Sequence, residues 1–476
     1  MTSAVPERSR RVAVVGGGIT GAAAAHHLGL MLADGALDRV VLFEADDEVG
    51  GRSRSTPFAG LDHVDCGPDA FLARVPDATA LAAEVGLADE LVHPRKVGAA
   101  VWYDGMHDIP DGLVLGVPGN PLSLATSSLL SWRGKARAAL EPFLPRTSTD
   151  PDSIGEFMRA RFGNEVHERL VDALVGSIYA TDTDRFSLAE MPQLAALTSS
   201  RSLLIAARRT ASKGTASASA APIFATPASG MHRLVRATVD TARSNGVEIE
   251  TGRRVRIEAH TDGPDTDGGA TRAWVVGDDT FDAVIIATPA AAARTLLEAI
   301  SPDTSELLAT AETSDVALLS FHIAADEWPE RLGGRSGYLV PKPVQRAVTA
   351  VSFGSQKWAH WQPPDGGQIL RVSLGRDGAP VLHHDDDTLV EQALDDLAVH
   401  LGVRFSPEDV RVSRWPGAFA QYRPHHRQWV ESVRATLPHN VAVAGSSYDG
   451  IGIPACVRSG RTIAGLLAGP LDPLPH

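Results

Sequence analysis

The spacing of hydrophobic and polar positions near the start of the chain predicts two strands joined by a helix. Val12–Val15 and Val40–Phe43 are short unbroken apolar runs, which is typical of buried parallel strands. Between them, three glycines lead into the alanine-rich stretch Ala22–Leu32, and alanine is the strongest helix former. The order strand, helix, strand predicts a βαβ unit.

The next region of the chain has the spacing of helices. Apolar residues recur at every fourth position, at Val166, Leu170, Leu174 and Ile178. Ser153 and Glu156 have the spacing of a capping box, which marks the first turn of a helix. Residues 98–224 are therefore predicted to form a mostly helical lobe. Within it, the low-complexity run 211–221 is expected to be a mobile loop.

The remaining half of the chain alternates between strand and helix patterns. Thr261–Gly269 is rich in Asp and Gly and is expected to be a surface turn, whereas Thr388–Leu401 has the spacing of an amphipathic helix. Residues 315–375 alternate strand-like runs with turns. Further strands are predicted at Val247–Ile249, Val255–Ile257, Ala273–Val276, Phe281–Ala287 and Val441–Ala444.

These elements predict an α/β fold, and we divide the chain into three parts. The first part is discontinuous and comprises residues 1–75, 225–298 and 435–476. The second part, with a mixed sheet, comprises residues 76–97 and 299–434, and the helical lobe is the third.

The composition of the chain argues against several classes of protein. The formal net charge is −14 over 476 residues, which argues against nucleic-acid binding because that needs a basic face. The two cysteines, Cys66 and Cys456, predict no disulfide framework or zinc site and fit a reducing cytoplasm. Ser9–Arg11 imitates an export signal, but the apolar run after it is too short. No stretch reaches the roughly 18 apolar residues of a membrane span.

The glycine turn after the first strand carries the clearest chemistry. Gly16, Gly18 and Gly21 have the spacing of a dinucleotide fingerprint, and they lie between a strand and a helix as that motif requires. Gly16 permits the tight turn, Gly18 lets a pyrophosphate approach, and Gly21 allows close helix packing. Glu44 ends the second strand, where a carboxylate can accept hydrogen bonds from ribose hydroxyls.

The glycine triplet leaves NAD and FAD both open, and later segments favour FAD. Gly50-Gly51-Arg52 combines two flexible positions with an arginine that can clamp phosphate. Asp65–Ala70 and Ala287–Pro289 add further tight backbone segments. A second glycine turn, Gly445–Pro454, follows the last predicted strand.

With these motifs together, the chain resembles the FAD-dependent amine oxidase and phytoene desaturase superfamily. The resemblance implies that the discontinuous part is a Rossmann-like FAD-binding domain and that the mixed-sheet part is a substrate domain. The segment Ala444–Pro454 is similar to the branch of bacterial HemY-type porphyrinogen oxidases. Four other segments share that similarity, namely Gly67–Arg74, Gly134–Leu140, Ile178–Ala180 and Trp415-Pro416.

The resemblance implies which residues contact FAD. The pyrophosphate would lie on Gly16, Gly17, Gly18, Ile19, Thr20 and Gly21, and the ribose at Glu44 and Ala45. Gly51 would also contact the cofactor, and Arg52 is the basic position after the glycine pair. The flavin would pass Gly67, Pro68, Asp69 and Ala70, and the adenine would lie against Val255. Trp415 would lie near the isoalloxazine, and Gly450, Ile451 and Gly452 near its pyrimidine end. Arg74 is the candidate for holding a substrate carboxylate.

Some positions depart from the family pattern. Ala420 replaces a common proline, His425 a glycine, Ala455 an aspartate and Val75 a basic residue. The last two departures concern the cofactor turn and the substrate anchor. We expect Cys66 and Cys456 to be packing residues. We expect no metal at His425-His426, because adjacent side chains point apart.

The resemblance implies an oxygen-dependent oxidation of coproporphyrinogen III in haem biosynthesis. Three two-electron steps would each move a hydride from a meso carbon to the flavin and release a pyrrole proton, and O₂ would yield three H₂O₂. No side chain is predicted to act as general base, because the flavin supplies the chemistry.

Several alternatives stay open at this stage. The substrate could instead be protoporphyrinogen IX, an amine or a carotenoid, and a protein that holds FAD without turnover or a porphyrin carrier are different classes of function. The implied partners are the porphyrinogen, O₂ and, as an option, the next haem-pathway enzyme. Pro121–Arg137 contains both leucines and basic residues. It is interpreted either as a helical flap over the substrate pocket or as a helix at the membrane surface.

Overall fold

The computed structural model describes residues 10–217, 222–260 and 273–468. Its first layer is a five-stranded sheet in which every neighbouring pair is parallel. Across the sheet the strands are Glu248–Glu250, Arg39–Phe43, Arg11–Val15, Ala283–Ile286 and Val441–Val443. Val14 pairs with Leu42 on one side and Ile285 on the other. The predicted βαβ unit is confirmed, because the paired parallel strands Arg11–Val15 and Arg39–Phe43 are joined by the helix Ile19–Ala33.

Three helices cover the sheet. Ile19–Ala33 packs between His232–Ser244 and Ile453–Ala468. The contact between the first and last of these is close, because a Cβ added at Gly460 would collide with the carbonyl oxygen of Thr20. Helices from opposite ends of the chain therefore lie side by side.

The second layer is a seven-stranded mixed sheet. Its strands are, in order, Asp409–Ala420, Thr313–Ile323, Gln368–Leu374, Val348–Phe353, Arg335–Leu339, Gly98–Trp102 and Met106–Asp108. Only the pair of Arg335–Leu339 with Gly98–Trp102 is parallel. The last two strands come from residues that the sequence placed in the helical lobe, so the lobe begins after residue 108. In these two short strands, the alternation of apolar and polar residues is too brief to distinguish a hairpin from a loop.

Among the described residues, the helical lobe contains six α-helices and one π-helix, His167–Gly176. Ser153 caps the helix Ile154–Phe162 by accepting a hydrogen bond from the Glu156 N–H at 3.3 Å, as predicted. The α-helices are Pro121–Thr126, Trp132–Ala139, Ile154–Phe162, Asn164–Val166, Pro192–Thr198 and Leu203–Ser217.

The expected mobile loop at 211–221 is wrong for its first part, because the helix Leu203–Ser217 continues through it. Alanine and lysine favour helix strongly enough to extend it through a low-complexity run. Residues 218–221 lie outside the described residues, as does the turn expected at 261–269. The predicted helix at 388–401 is confirmed as Asp386–Leu401.

Smaller elements connect the layers. The remaining α-helices are Pro76–Glu84, Ala290–Leu297, Pro302–Ala309, Gly354–Lys357 and His426–Ala435. The remaining strands are Ser55–Phe58, Leu61–Asp65, Phe71–Leu72, Leu91–Val92, Leu113–Val114, Val117–Pro118, Phe224–Pro227, Ile257–Ala259, Trp274–Val276 and Asp279–Phe281.

Within the described ranges, no helix combines the length and the apolar character that crossing a bilayer requires.

Candidate active site

A cavity of about 1060 Å³ opens at the carboxyl ends of the parallel strands. Residues at or just after the ends of four strands line it: Val15, Glu44, Ala287 and Ala444. Ligands of open α/β sheets bind at this edge, because the turns there bring backbone N–H groups and helix N-termini together. The cavity continues to the seven-stranded sheet, so one space joins both layers.

The first glycine turn forms one wall. Gly16 has a φ of +108°, which suits glycine alone, and its N–H donates to the Phe43 carbonyl at 2.8 Å. A Cβ at Gly21 would collide with the carbonyl oxygen of Gly16. A Cβ at Gly18 would instead meet nothing within 4 Å. Gly18 is also the N-cap of the helix Ile19–Ala33 and has no side chain to cap it.

The helix end therefore presents uncapped N–H groups and the positive end of its dipole to open space in the cavity. Thr288 adds a second polar group, because its hydroxyl oxygen is buried on the wall and finds no hydrogen-bond partner in the described part of the chain. Open space beside Gly18 and an orphaned hydroxyl both fit a phosphate-bearing dinucleotide.

Glu44 is held against this turn. Its Oε2 accepts the Gly17 N–H at 2.6 Å and its Oε1 accepts the Asp46 N–H at 2.9 Å. Both bonds come from backbone, so the carboxylate is fixed at the cavity wall while keeping further lone pairs free. A carboxylate fixed in this way suits a ligand with neighbouring hydroxyl groups.

The glycine pair and Arg52 form the next part of the wall. The Gly50 N–H donates to the Gly17 carbonyl at 3.0 Å, which ties the two glycine segments together. The Arg52 guanidinium donates to the Gly417 carbonyl and has no carboxylate partner among the described residues. Burial lowers the pKa of Arg52, because a charged group loses water there. An unpaired, partly buried cation of this kind suits an anionic ligand.

The segment Gly67–Ala70 lies behind Arg52. A Cβ at Gly67 would collide with the Arg52 carbonyl oxygen, and the Trp415 indole N–H donates to the Cys66 carbonyl at 2.9 Å. The backbone of this segment is therefore pressed against the cavity wall. Gly67, Pro68 and Ala70 line the cavity.

Asp69 points away from the cavity. Its Oδ2 accepts from the Lys357 ammonium at 2.8 Å and from the Trp358 indole N–H at 3.1 Å. Burial alone would raise the pKa of Asp69, but Lys357 and Arg371 outweigh it and hold that pKa well below its usual range. Arg371 also donates to the Gly67 carbonyl. Asp69 thus positions the segment from behind.

The second glycine turn is anchored by Tyr422. The Tyr422 hydroxyl donates to the Ser446 carbonyl at 2.7 Å and accepts the Gly450 N–H at 2.9 Å. A Cβ at Gly450, which has a φ of +118°, would lie 2.9 Å from the Cβ of Ala455. The residue that departs from the family pattern therefore packs directly under the turn.

The sheet-side end of the cavity is mostly apolar. It is lined by Ser177, Ile178, Ala180, Val316, Leu318, Ser373 and Phe419. Except for Ile178 and Ala180, which belong to a segment used for the resemblance, sequence reasoning missed these residues. They come from four separate segments that only the fold brings together.

The structure places most predicted site residues on one cavity wall. Gly17, Gly21, Asp69 and Gly450 lie next to the wall without lining it. Val255 lines the wall, but it precedes the strand Ile257–Ala259 and does not belong to it as predicted. Arg74 is exposed on a turn and does not line the cavity. The residues that do line it are Gly16, Gly18, Ile19, Thr20, Glu44, Ala45, Gly51, Arg52, Gly67, Pro68, Ala70, Val255, Trp415, Ile451 and Gly452.

Sequence reasoning also missed polar groups on the wall. Thr288 was noted only as the end of a strand, and Arg254 and Arg256 were passed over although they flank Val255. Cys456 lines the cavity as well, and burial raises the pKa of its thiol, which keeps it neutral.

A parallel sheet with a glycine-rich helix end, joined by one cavity to a mixed sheet, is typical of a dinucleotide-dependent oxidoreductase. The chain belongs to the flavin containing amine oxidoreductase family, whose model matches residues 19–468. The predicted fold class and the FAD cofactor are confirmed by this membership.

Similar proteins refine the picture. A coproporphyrinogen III oxidase of Mycobacterium tuberculosis (strain ATCC 25618 / H37Rv) is 33% identical, covering 96% of this chain and 97% of that protein. A coproporphyrinogen III oxidase of Bacillus subtilis (strain 168) is 30% identical, covering 95% of this chain and 96% of that protein. A crystal structure provisionally assigned as a protoporphyrinogen oxidase of Exiguobacterium sp. 255-15 superposes with a TM-score of 0.81 at 27% identity, covering 97% and 99%. The resemblance inferred from the sequence is therefore confirmed.

Proposed function

We propose that this enzyme oxidises coproporphyrinogen III to coproporphyrin III with O₂, using FAD. The observation that carries the proposal is the full-length similarity to proteins named coproporphyrinogen III oxidase. The cavity agrees with it, because one continuous space offers a dinucleotide cradle at one end and an apolar surface at the other.

In this proposal the cradle residues hold the cofactor. The N–H groups at Gly18, Ile19 and Thr20 bind the pyrophosphate, Glu44 binds the ribose, and Arg52 supplies a positive charge. FAD, when bound, accepts electron pairs from the substrate and passes them to O₂. The chain's own task is to orient the two reactants and exclude water from between them.

The apolar end receives the macrocycle. Val316, Leu318 and Phe419 give it a surface suited to pyrrole rings, and Ser177 and Ser373 give it two hydroxyl groups. The four propionates of the substrate need water or cations, because buried carboxylates are costly. We propose that they extend toward the opening, where the exposed Arg74 contacts one of them.

The test uses purified enzyme in air with each porphyrinogen in turn. Porphyrin fluorescence and oxygen consumption should rise above autoxidation with coproporphyrinogen III, at one O₂ per electron pair. A protein that contains FAD but raises neither signal would overturn the proposed activity. It would then be a carrier or an oxidase of another substrate.

Protoporphyrinogen IX is the second candidate substrate. The similarity to the Exiguobacterium structure favours it, and its two missing carboxylates would suit the apolar lining. A higher kcat/KM for protoporphyrinogen IX in the same assay would reverse the order of the two substrates.

We also propose that the enzyme contacts the membrane surface peripherally. On the helical lobe, Leu122, Trp132 and Phe143 are 74%, 73% and 78% exposed. The basic residues Arg133 and Lys135 lie on the same helix as Trp132. Aromatic and basic groups together suit the interface of an anionic bilayer. No residue of 121–143 lines the main cavity, which speaks against a flap.

Cosedimentation with anionic and neutral vesicles tests this contact. Trp132→Ser with Phe143→Ser should reduce binding to anionic vesicles, whereas Val399→Ser, at a site 55% exposed on another helix, should not. Equal binding by all three proteins would refute the contact.

A further inference from the structure

Two arginines beside Val255 share an unusual position. Along residues 254–257, exposed and buried positions alternate: Arg254 and Arg256 are exposed, and Val255 and Ile257 are buried. This alternation with a period of two indicates that the two arginine side chains lie on the same side of the segment. Both arginines also line the main cavity. We call Arg254 and Arg256 the cationic rim.

The cationic rim is free of ion pairs within the described residues, which sets it apart from its neighbour. Arg253 is committed to Glu250 and, at 2.6 Å, to Asp278. No carboxylate in the described ranges holds Arg254 or Arg256. The wall contributed by the helix Ala290–Leu297 is uncharged, with Ala292, Thr295 and Leu296. The positive charge of the rim is therefore available to a mobile anion.

The cationic rim lies beside negatively charged residues of a chain that is itself negatively charged. The Gly252 N–H donates to the Asp46 carbonyl at 2.7 Å and the Arg253 N–H to the Glu44 carbonyl at 2.9 Å. The rim thus follows directly on a segment bound to the acidic stretch 44–48. The whole chain carries a formal charge of −14, which repels an approaching anion.

We propose that the cationic rim draws the anionic dinucleotide into the cavity and then lies against its adenosine end. This proposal rests on the proposed function, because it takes FAD as the ligand. Oppositely charged groups at an opening raise association rates about 10-fold to 1,000-fold, and salt weakens the effect. Guanidinium groups also stack on flat π systems such as adenine.

The experiment measures FAD association with the full-length protein after its flavin has been removed. Quenching of flavin fluorescence in a stopped-flow instrument gives the rate constant at low and at high ionic strength. In Arg254→Gln/Arg256→Gln, the rate at low ionic strength should fall about tenfold, and its dependence on salt should flatten. Dissociation of FAD from the variant should also be faster, because the adenosine end loses a contact.

The matched control is Arg201→Gln/Arg209→Gln, which removes the same charge from exposed positions that do not line the cavity. An unchanged rate and salt dependence in the rim variant would overturn the proposal, and so would an equal loss in the control. If the unsubstituted protein failed to bind FAD at all, the proposed function itself would be overturned. Circular dichroism of both variants verifies that they are folded.

Discussion

Gly18 differs from the other glycines of the first turn in what surrounds it. A side chain at Gly16 or Gly21 would strike the protein itself, but one at Gly18 would enter the cavity. Gly18→Val should therefore fold normally and purify without yellow colour, with FAD affinity reduced about 10-fold to 100-fold, the equivalent of the usual cost of overpacking.

Gly98→Val is the control for this substitution. A Cβ at Gly98 also meets nothing within 4 Å, but Gly98 does not line the cavity. The flavin absorbance per mole of protein distinguishes the two variants. A Gly18→Val protein with full flavin content would contradict the assignment of the pyrophosphate to this turn.

Asp65 is fully buried and links stability to pH. Its Oδ1 accepts from the Ser55 hydroxyl and the Met231 N–H, while its Oδ2 has no partner. Burial raises the pKa of Asp65 to about 6, against these hydrogen bonds, which lower it. Because the folded value lies above the unfolded one, the stability gained by protonation is present at acid pH and is lost as pH rises through 6.

Asp65→Asn removes this titration. Between about pH 5 and pH 8 the free energy of unfolding of the unsubstituted protein should fall relative to the variant by about 1.4 kcal/mol, the equivalent of one pKa unit. Urea unfolding of both proteins at the two pH values measures the difference. A difference that does not change with pH would show that Asp65 is already ionised throughout.

The contact between the helices Ile19–Ala33 and Ile453–Ala468 depends on Gly460. Gly460→Ala should push the helices apart and destabilise the protein by about 1–3 kcal/mol. On the same helix, a Cβ at Gly465 would make only an ordinary contact, 3.5 Å from His27 Nε2. Gly465→Ala should therefore be neutral or stabilise by up to about 1 kcal/mol, because alanine is the better helix former. Thermal unfolding should show shifts of opposite sign, and equal shifts would contradict this packing.

The sequence predicts the first of these helices and the parallel strands because alanine content and unbroken apolar runs are local signals. Val12–Val15 and Val40–Phe43 need no distant information to be recognised as buried strands. The hairpin of Gly98–Trp102 and Met106–Asp108 does need distant information, because its first strand is stabilised by pairing with Arg335–Leu339. The helix Leu203–Ser217 shows the reverse case, where local alanine propensity outweighs low complexity.

The helical lobe is joined to the seven-stranded sheet by a buried ion pair. Arg376 Nη2 lies 2.9 Å from Asp172 Oδ1, and both side chains are buried. Asp172 also accepts from the Lys342 N–H and the Thr183 hydroxyl, each at 3.1 Å. Arg376 donates in addition to the Thr181 carbonyl, directly after the cavity-lining Ala180.

Arg376→Met should cost about 3–5 kcal/mol, because it leaves the Asp172 carboxylate buried without its partner. Arg376→Met/Asp172→Leu should recover only part of that loss, since Lys342 N–H and Thr183 then lack an acceptor. Urea unfolding of Arg376→Met, Asp172→Leu and the double variant measures the coupling. Additive losses would show that the two side chains do not stabilise each other.

The cofactor half of the site could be predicted because motif and family both constrain it. The substrate half of the site could not be predicted, because it is formed by tertiary contacts between segments that are far apart in the sequence. Asp69 lies within a predicted segment, yet its carboxylate turns toward Lys357, which is far away in the sequence. Val316, Ser373 and Phe419 meet only because three strands pair.

The parallel sheet places Arg11–Val15 at its centre and Val441–Val443 at its edge. During synthesis on the ribosome, the first glycine turn is made long before the strand Val441–Val443 and the helix Ile453–Ala468 that complete its cavity. Until those segments follow, the cofactor site is open and the strand Ala283–Ile286 lacks its outer neighbour, a state that favours chaperone binding and aggregation. Flavin can therefore enter a complete site only after both segments have been synthesised.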